Sequence, residues 1–295
     1  MDKKKSLLYL ENVYKSYGEK NVLDDIDFAV SEREFCTVVG PSGCGKSTLL
    51  RLILGQEFPT SGWIHFLGEP LGYADTRRGI VYQRYSLFPH LNVLDNVMLG
   101  KVLTSPMICF RAKKRAYREE AMELLRRCGM AEHPDKYPHE LSGGMRQRVA
   151  IVQALIMKPK ILLMDEPFGA LDPGTRESMQ LFILEMWERF GMTIFFVTHD
   201  MEEAVFLGTR IVVLSQYYYD GRGQDSPHGA RIVGDYKLKD VASSTNYKTS
   251  SDFGKLIARI RQEGFSPEYR RHVTEFNLTH PDSFQTLTEI ERRKP

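Results

Sequence analysis

Gly40-Pro41-Ser42-Gly43-Cys44-Gly45-Lys46-Ser47-Thr48 is the stretch on which the reading of this chain turns. It fills the pattern GxxxxGK(S/T) completely. An apolar run, Thr37–Val39, precedes it, and a stretch with helical spacing, Ser47 to Leu54, follows and stops at Gly55. Strand, glycine-rich loop and helix start, in that order, are the context the pattern needs. Glycines let the backbone wrap closely, so that several N–H groups point at phosphate oxygens, and the helix N-terminus adds a favourable dipole. Lys46 is placed to reach β- and γ-phosphates and Ser47 to ligate Mg²⁺. The nine residues are therefore expected to cradle a nucleoside triphosphate, and a chance glycine turn with a lysine does not account for the flanking strand and helix. The loop alone does not say how the energy is used, since kinases, GTPases and helicases share it.

Further along, Ile161-Leu162-Leu163-Met164 ends in Asp165-Glu166, with Pro167 turning the chain out. Ligands of doubly wound sheets sit at the carboxyl ends of the strands. Asp165 is expected to hold Mg²⁺, directly or through water, and Glu166 to act as general base on the attacking water. Continuous apolar runs recur at 194–197 and 211–214, with a helical stretch at about 174–190 between the first two runs. That alternation predicts parallel strands buried on both faces. Residues 7–39 and 60–83 read as strands and turns. From about 90 to 157 the pattern is helical, with Tyr117, Ala121, Leu124, Leu125 and Cys128 on one stripe. After 215, residues 216–229 read as a loop, Ala230 to Tyr236 as a strand, and Phe253, Leu256, Ile257 and Ile260 as one face of a helix that packs on its own domain. Residues 264–295 carry no legible motif.

The chain has 295 residues, 42% hydrophobic and 26% charged, with net charge +2. So small a charge argues against a nucleic-acid scaffold. The longest apolar runs are four residues, such as Ile161–Met164, and a spanning helix needs about 20. Met1–Lys5 is basic, but Leu7–Leu10 is too short for a signal-peptide core of about 7–15 residues. Cysteines 36, 44, 109 and 128 show no CxxC spacing and read as space-filling residues in a reducing compartment. Arg111 to Arg118 holds five basic residues, read first as a solvated helix face.

Leu141-Ser142-Gly143-Gly144-Met145-Arg146-Gln147-Arg148 precedes another helical run, Val149 to Met157. It reads as a capped helix start and as a second anion-ready N-terminus. Two such starts with one acid pair make sense when both serve the same nucleotide.

At this point the sequence resembles the ABC transporter ATPase family, in which LSGG is the signature. The resemblance covers about residues 7–236. It implies that two copies pack head to tail, each ATP lying between the glycine loop of one and Ser142, Gly143 and Gly144 of the other. It implies that Tyr17 stacks on adenine and that Gln83 senses Mg²⁺ and the γ-phosphate in a loop that meets the membrane partner. It further implies that Ala170-Leu171-Asp172 links the two sites and that His199 contacts the γ-phosphate. Glu166, His199, Gln83 and Lys46 are then the expected catalytic set, and Ser47, Gln83 and Asp165 the expected Mg²⁺ set. The implied fold is α/β, a P-loop NTPase-type core with a parallel sheet, an antiparallel β subdomain and an inserted helical subdomain at about 86–157. Residues 237–295 form a C-terminal extension of open role. Met145 stands where the family most often has Gln, and the Gly-Met-Arg-Gln-Arg form resembles nitrate, sulfonate and taurine importers. The implied partners are a second copy of the chain, transmembrane permease subunits and an external substrate-binding protein, with the chain on the cytoplasmic face of the cell membrane. The rival readings are a non-transport ABC ATPase acting on nucleic acid or the ribosome, disfavoured by a single cassette without heptads, and a small-molecule kinase, which has no use for LSGG.

Overall fold

The computed structural model describes residues 6–83, 86–169, 171–222, 228–238, 251–272 and 277–278. The basic start Met1–Lys5, Arg84, Ala170 and most of the tail after 238 lie outside the described residues. The chain forms two units. One holds the residues up to Ala74 and from Phe195 onward, the other Asp75–Ile194.

The first unit opens with β1 (Leu8–Tyr17), which pairs antiparallel with β2 (Lys20–Val30). β3 (Phe35–Val39) then leads through the glycine-rich loop into α1 (Lys46–Leu54). β4 (Ser61–Phe66) returns to pair with β1 and turns into β5 (Glu69–Pro70), so the sheet order is β2-β1-β4-β5. Leu8, Leu10 and Val13 of β1 are buried, while Tyr17 and Lys20 at the turn are exposed. This is the expected antiparallel β element. β3 is buried at every position, as its unbroken apolar run predicts. Most of α1 is buried too, and its last turn closes on Gly55 in the left-handed conformation, the expected C-cap.

In the second unit β6 (Arg78–Val81) is followed by α2 (Val93–Thr104), α3 (Met107–Arg127), a 3₁₀ turn at Pro138–Glu140 and α4 (Gly143–Leu155). β7 (Ile161–Asp165) runs parallel to β6 and leads to α5 (Pro173–Phe190). α2, α3 and α4 pack on one another as the inserted helical element. The predicted stripe on α3 is the inward one, with Ala121, Leu124, Leu125 and the capping Cys128 buried. The basic run Arg111 to Arg118 is solvent-exposed at each of its cations. Asn96 on α2, fully buried, accepts from Phe88 N at 2.7 Å and donates to Phe88 O, Leu91 O and Asn92 O at 2.9–3.1 Å. It pins the loop before α2 to the helix.

β8 (Thr193–Val197) carries the chain back into the first unit, followed by α6 (Met201–Leu207), β9 (Arg210–Ser215), β10 (Tyr218–Tyr219) and β11 (Arg231–Lys237). α7 (Ser251–Phe265), β12 (Arg271–His272) and β13 (Asn277–Leu278) complete it. Here the strand order is β13-β11-β9-β3-β8. β3 and β9 are parallel, as expected from their apolar runs, and β11 is antiparallel to β9. Phe253 and Ile260 of α7 are buried in one cluster with Val213, Val233 and Tyr236, so the helix packs on this unit's own core. Segment 216–229, read as loop, contains β10, and Tyr218 is buried with its hydroxyl donating to Gly229 O at 3.0 Å. A two-residue strand is too short to leave a periodic signature. Arg210 is fully buried, bridging Asp235 with Nε to Oδ1 at 2.7 Å and Nη2 to Oδ2 at 2.6 Å, while Nη1 donates to Ala29 O.

The cysteines divide. Cys36, Cys44 and Cys128 are buried as space-filling residues, but Cys109 is exposed, so that expectation fails there. Burial pushes the Cys128 thiol up to about 12, which keeps it protonated and inert.

Candidate functional site

The predicted residues divide between the units. Tyr17, the loop Gly40–Thr48 and His199 lie in the first, and Gln83, Ser142, Gly143, Gly144, Asp165, Glu166 and Asp172 in the second.

In the first unit the loop between β3 and α1 is built around close backbone contacts. A Cβ at Gly40 would lie 2.1 Å from Leu214 O and 2.9 Å from Cys44 Sγ, so only glycine fits. Gly43 and Gly45 hold φ of 78° and 101°, a region open to glycine at little cost. α1 has no side chain capping its N-terminus and no acid in its first turn, which suits an anion at that end. Lys46 is 7% exposed, with Nζ donating to Gly40 O at 2.8 Å and Pro41 O at 3.0 Å. The ammonium thus stands at the loop's mouth on the loop's own carbonyls. Ser42, Gly43 and Ser47 are exposed, Pro41 is half-buried, and Cys44 is buried with its thiol pushed up by burial. Thr48 is buried and accepts from Arg51 Nη2 at 3.2 Å.

Tyr17 ends β1 with its ring 43% exposed and its hydroxyl donating to Glu57. Glu57 also pairs with Lys15 Nζ and Arg51 Nε, both at 3.2 Å, and Lys15 Nζ lies 4.9 Å from the Tyr17 ring centroid. The Tyr17 hydrogen bond, with these cations, holds the Glu57 carboxyl below its ordinary range. Glu57 was invisible in the sequence, 40 residues from Tyr17 and in no motif. His199 is exposed just beyond β8. Its neighbours fix the backbone there. Thr198 Oγ1 donates to Glu203 Oε2 at 2.8 Å and accepts from Asp200 N at 3.0 Å, and Asp200 caps α6.

In the second unit β7 delivers Asp165 at its last position and Glu166 just beyond, both half-buried. Glu166 has φ of 46°, a left-handed conformation that costs a non-glycine residue free energy. Gln83 Nε2 donates to Glu166 Oε2 at 3.2 Å, so two residues far apart in sequence meet at the acid end of the strand. Gln147, on the helix that begins with Gly143, donates to Tyr82 O at 3.4 Å and so ties that helix to the segment carrying Gln83.

Ser142 is the N-cap of α4, accepting from Met145 N at 3.2 Å, and stays exposed. Its O–H remains a donor. A Cβ at Gly143 would meet nothing within 4 Å, and one at Gly144 nothing nearer than Leu171 Cδ2 at 3.4 Å. The fold of the chain itself therefore does not require either glycine. Asp172 is the N-cap of α5, its Oδ1 accepting from Thr175 N at 3.0 Å, and these hydrogen bonds hold its carboxyl below the ordinary range. A Cβ at Gly144 would also lie 3.5 Å from Thr175 Cγ2, so the two helix starts lie near one another.

Oxygens that suit a divalent ion are the Ser47 hydroxyl in the first unit and, in the second, the Asp165 carboxylate and the Gln83 amide oxygen. Among the described residues no cluster of three His, Cys, Asp or Glu exists to form an all-protein cage. Few protein oxygens completed by phosphate oxygens and water is the mode that suits Mg²⁺.

A family model described as ABC transporter matches residues 23–169. The taurine import ATP-binding protein of Rhizobium johnstonii is 40% identical over 83% of this chain and 90% of its own length. The sulfate/thiosulfate import ATP-binding protein of Pectobacterium atrosepticum is 41% identical over 95% of this chain and 82% of its own. A spermidine/putrescine import ATP-binding protein of Mycoplasma capricolum is 43% identical over 72% of this chain but 59% of its own. Among solved structures, a dimeric ATP-binding cassette in a post-hydrolysis state with ADP and Pi matches at TM-score 0.66 and 31% identity, over 79% of this chain and 99% of that one.

Proposed function

The chain belongs to the ABC transporter family as an ATP-hydrolysing subunit of the importer type, and from that premise we propose that two copies close head to tail over ATP and drive uptake of a small anion or a nitrogen or sulfur compound through separate permease subunits. The observation that carries the hydrolytic part is the acid end of β7, where Glu166 is held by its backbone and by the hydrogen bond from Gln83.

In this reading the loop N–H groups and Lys46 hold the β- and γ-phosphates, and Tyr17, steadied by Glu57, stacks on adenine. Ser142 and the backbone of Gly143 and Gly144 come from the second copy, which gives a reason for glycines that their own fold does not require. Ser47, Asp165 and Gln83 hold Mg²⁺, which supplies charge neutralisation on the phosphate oxygens. Glu166 takes a proton from the attacking water, with Gln83 orienting its carboxylate, and His199 contacts the γ-phosphate. Closure excludes water and completes the donors around the charge that develops in the transition state. Phosphate loss reopens the pair. Asp172, beside the signature helix, links the state of one site to the other. The segment from Gln83 onward passes the motion to the permease.

A cargo of the small anion or sulfur-compound kind is supported by relatives matched over most of their own length that are named for taurine and for sulfate or thiosulfate, while the polyamine relative is matched over 59% of its length. An external binding protein would deliver the cargo. No helix among the described residues is long and apolar enough to cross a membrane, and the chain is placed on the cytoplasmic face by its need for ATP and a permease.

The test is Glu166→Gln. The amide keeps the shape and loses the base, so hydrolysis should fall on the order of 10²–10⁴-fold. Light scattering should show ATP-dependent dimer accumulating in the variant, while the wild type returns to monomer. A variant that binds ATP, stays monomeric and hydrolyses at the wild-type rate would remove Glu166 as the base and sink the composite site.

A further inference from the structure

From Asn96 to Arg118 the chain holds six cations, Lys101, Arg111, Lys113, Lys114, Arg115 and Arg118, and no carboxylate, although the whole protein carries only +2. This stretch is the corner of two helices. α2 ends at Thr104, Ser105-Pro106 connects, and α3 starts at Met107. The corner is also where large apolar side chains stand in water. Leu103 is 74% exposed, Met107 72% and Ile108 85%. No side chain from Met107 to Ala116 is buried, whereas the later part of α3 packs inward through Ala121, Leu124 and Leu125. The projecting part is nevertheless held at its root. Phe110 and Tyr117 lie 6.0 Å apart between ring centroids, and Lys101 Nζ is 5.3 Å from the Tyr117 ring.

The order of chemistry along the projection is specific. Ile108, Arg111, Ala112 and Arg115 follow i, i+3, i+4, i+7, so they share one exposed face of α3. At about 1.5 Å rise per residue, Arg111 and Arg115 sit roughly 4.5 and 10 Å behind Ile108. An interfacial apolar face sinks about 5–10 Å into the boundary between headgroups and acyl chains. An apolar tip at that depth leaves the cations one and two turns back at the level of the lipid phosphates. Glu119 pairs with Arg115 at 2.9 Å and Glu120 with Lys101 at 4.0 Å, and the remaining cations leave an excess of positive charge behind an exposed apolar tip, which is complementary to an anionic bilayer surface.

We propose that the α2–α3 corner docks on anionic lipid, with Leu103, Met107 and Ile108 entering the headgroup region and the cations of α3 meeting lipid phosphates. The contact goes beyond the transport reading and uses none of the nucleotide-site residues, so ATP hydrolysis by the same preparations tests that reading separately.

The full-length chain is sedimented with phosphatidylcholine vesicles, with and without phosphatidylglycerol, at low and high salt. Two variants are compared, Ile108→Ser and the triple Lys113→Gln, Lys114→Gln, Arg115→Gln. All four side chains are exposed, so both variants should fold and hydrolyse ATP as the wild type does. The wild type should bind only the anionic vesicles and be released by salt, which screens the attraction. At about fivefold per cation the triple variant should lose roughly a hundredfold in partitioning, and Ile108→Ser about tenfold or more. Failure of the wild type to sediment with anionic vesicles would overturn the proposal, as would variants that bind as the wild type does. Variants that bind vesicles normally but no longer co-purify with permease subunits would make the corner a protein contact, and the lipid proposal would fall.

Discussion

A Cβ at position 40 would lie 2.1 Å from the Leu214 carbonyl oxygen, whereas one at position 143 would meet nothing within 4 Å. The two glycines therefore make opposite predictions. Gly40→Ala should yield little folded protein, because the obstacle is backbone that cannot swing aside. Gly143→Ala should melt within about a degree or two of the wild type, since alanine suits a helix start. Its ATP hydrolysis should nevertheless fall on the order of 10²-fold, because the added methyl would hold the phosphate away from the backbone N–H, with an effect comparable to losing one anion-binding donor. Differential scanning fluorimetry and a phosphate-release assay decide both. The Tyr17 tether gives a third prediction. Glu57→Ala should raise the KM for ATP severalfold with kcat little changed, because the ring loses its anchor while the hydrolytic residues keep theirs. The Glu57 carboxyl is lowered mainly by the Tyr17 hydrogen bond. The stability it adds is therefore full above the ordinary carboxylate pKa and is lost only as pH falls through the depressed value. ATP affinity should not depend on this group at neutral pH. Lys46, Ser142 and Glu166 were legible because each sits in a pattern spanning a few neighbouring residues. Glu57 was not, since its meaning comes from a turn that returns 40 residues later, and neither was the left-handed backbone of Glu166.

At the scale of elements, strands and helices with a continuous run or a clear stripe were readable, and their positions in the sheets were not. The apolar runs of β3, β7, β8 and β9 are buried as their composition demands. Nothing local says that β9 lies beside β3 or that β11 reverses direction against it. β10, β12 and β13 have two residues each, shorter than any period. The loop before α2 also depends on one polar residue that its sequence context hides. Asn96 satisfies both backbone groups of Phe88 and the carbonyl of Leu91. Asn96→Leu should cost about 2 kcal/mol or more, because buried donors and acceptors lose their partner at about 1–3 kcal/mol each. Chemical denaturation would show a lower midpoint, and coupling to the permease should suffer more than ATP binding does. The start of α5 adds a pH signature. Asp172 is held charged by the Thr175 hydrogen bonds, so its capping contribution is complete above the ordinary carboxylate pKa and disappears as pH falls through its lowered value.

For the molecule as a whole, the first unit is closed by chain that returns from far along the sequence. Arg210 sits fully buried on β9 and joins Asp235 of β11 to the Ala29 carbonyl of β2. Asp235→Ala leaves that guanidinium buried with half its partners and should cost about 3–5 kcal/mol, measurable by urea titration. Arg210 also pairs with the buried Glu34 at 3.5 Å, so replacing Arg210, Asp235 and Glu34 together by apolar residues of similar volume should cost much less, which would separate the penalty of unpaired charge from the worth of the cluster. The helix α7 belongs to the same core, with Phe253 and Ile260 buried against Val213, Val233 and Tyr236, and with Tyr236 donating to Glu263. This has a practical meaning for grafting. An engine exchanged between transport systems by cutting at the last motif, or at the end of the matched family region at residue 169, would lose β9, β11 and α7 together and leave the edge of β3 that β9 covers open. Chimeras of this protein should be joined beyond Phe265, so that the transplanted piece carries its own seal.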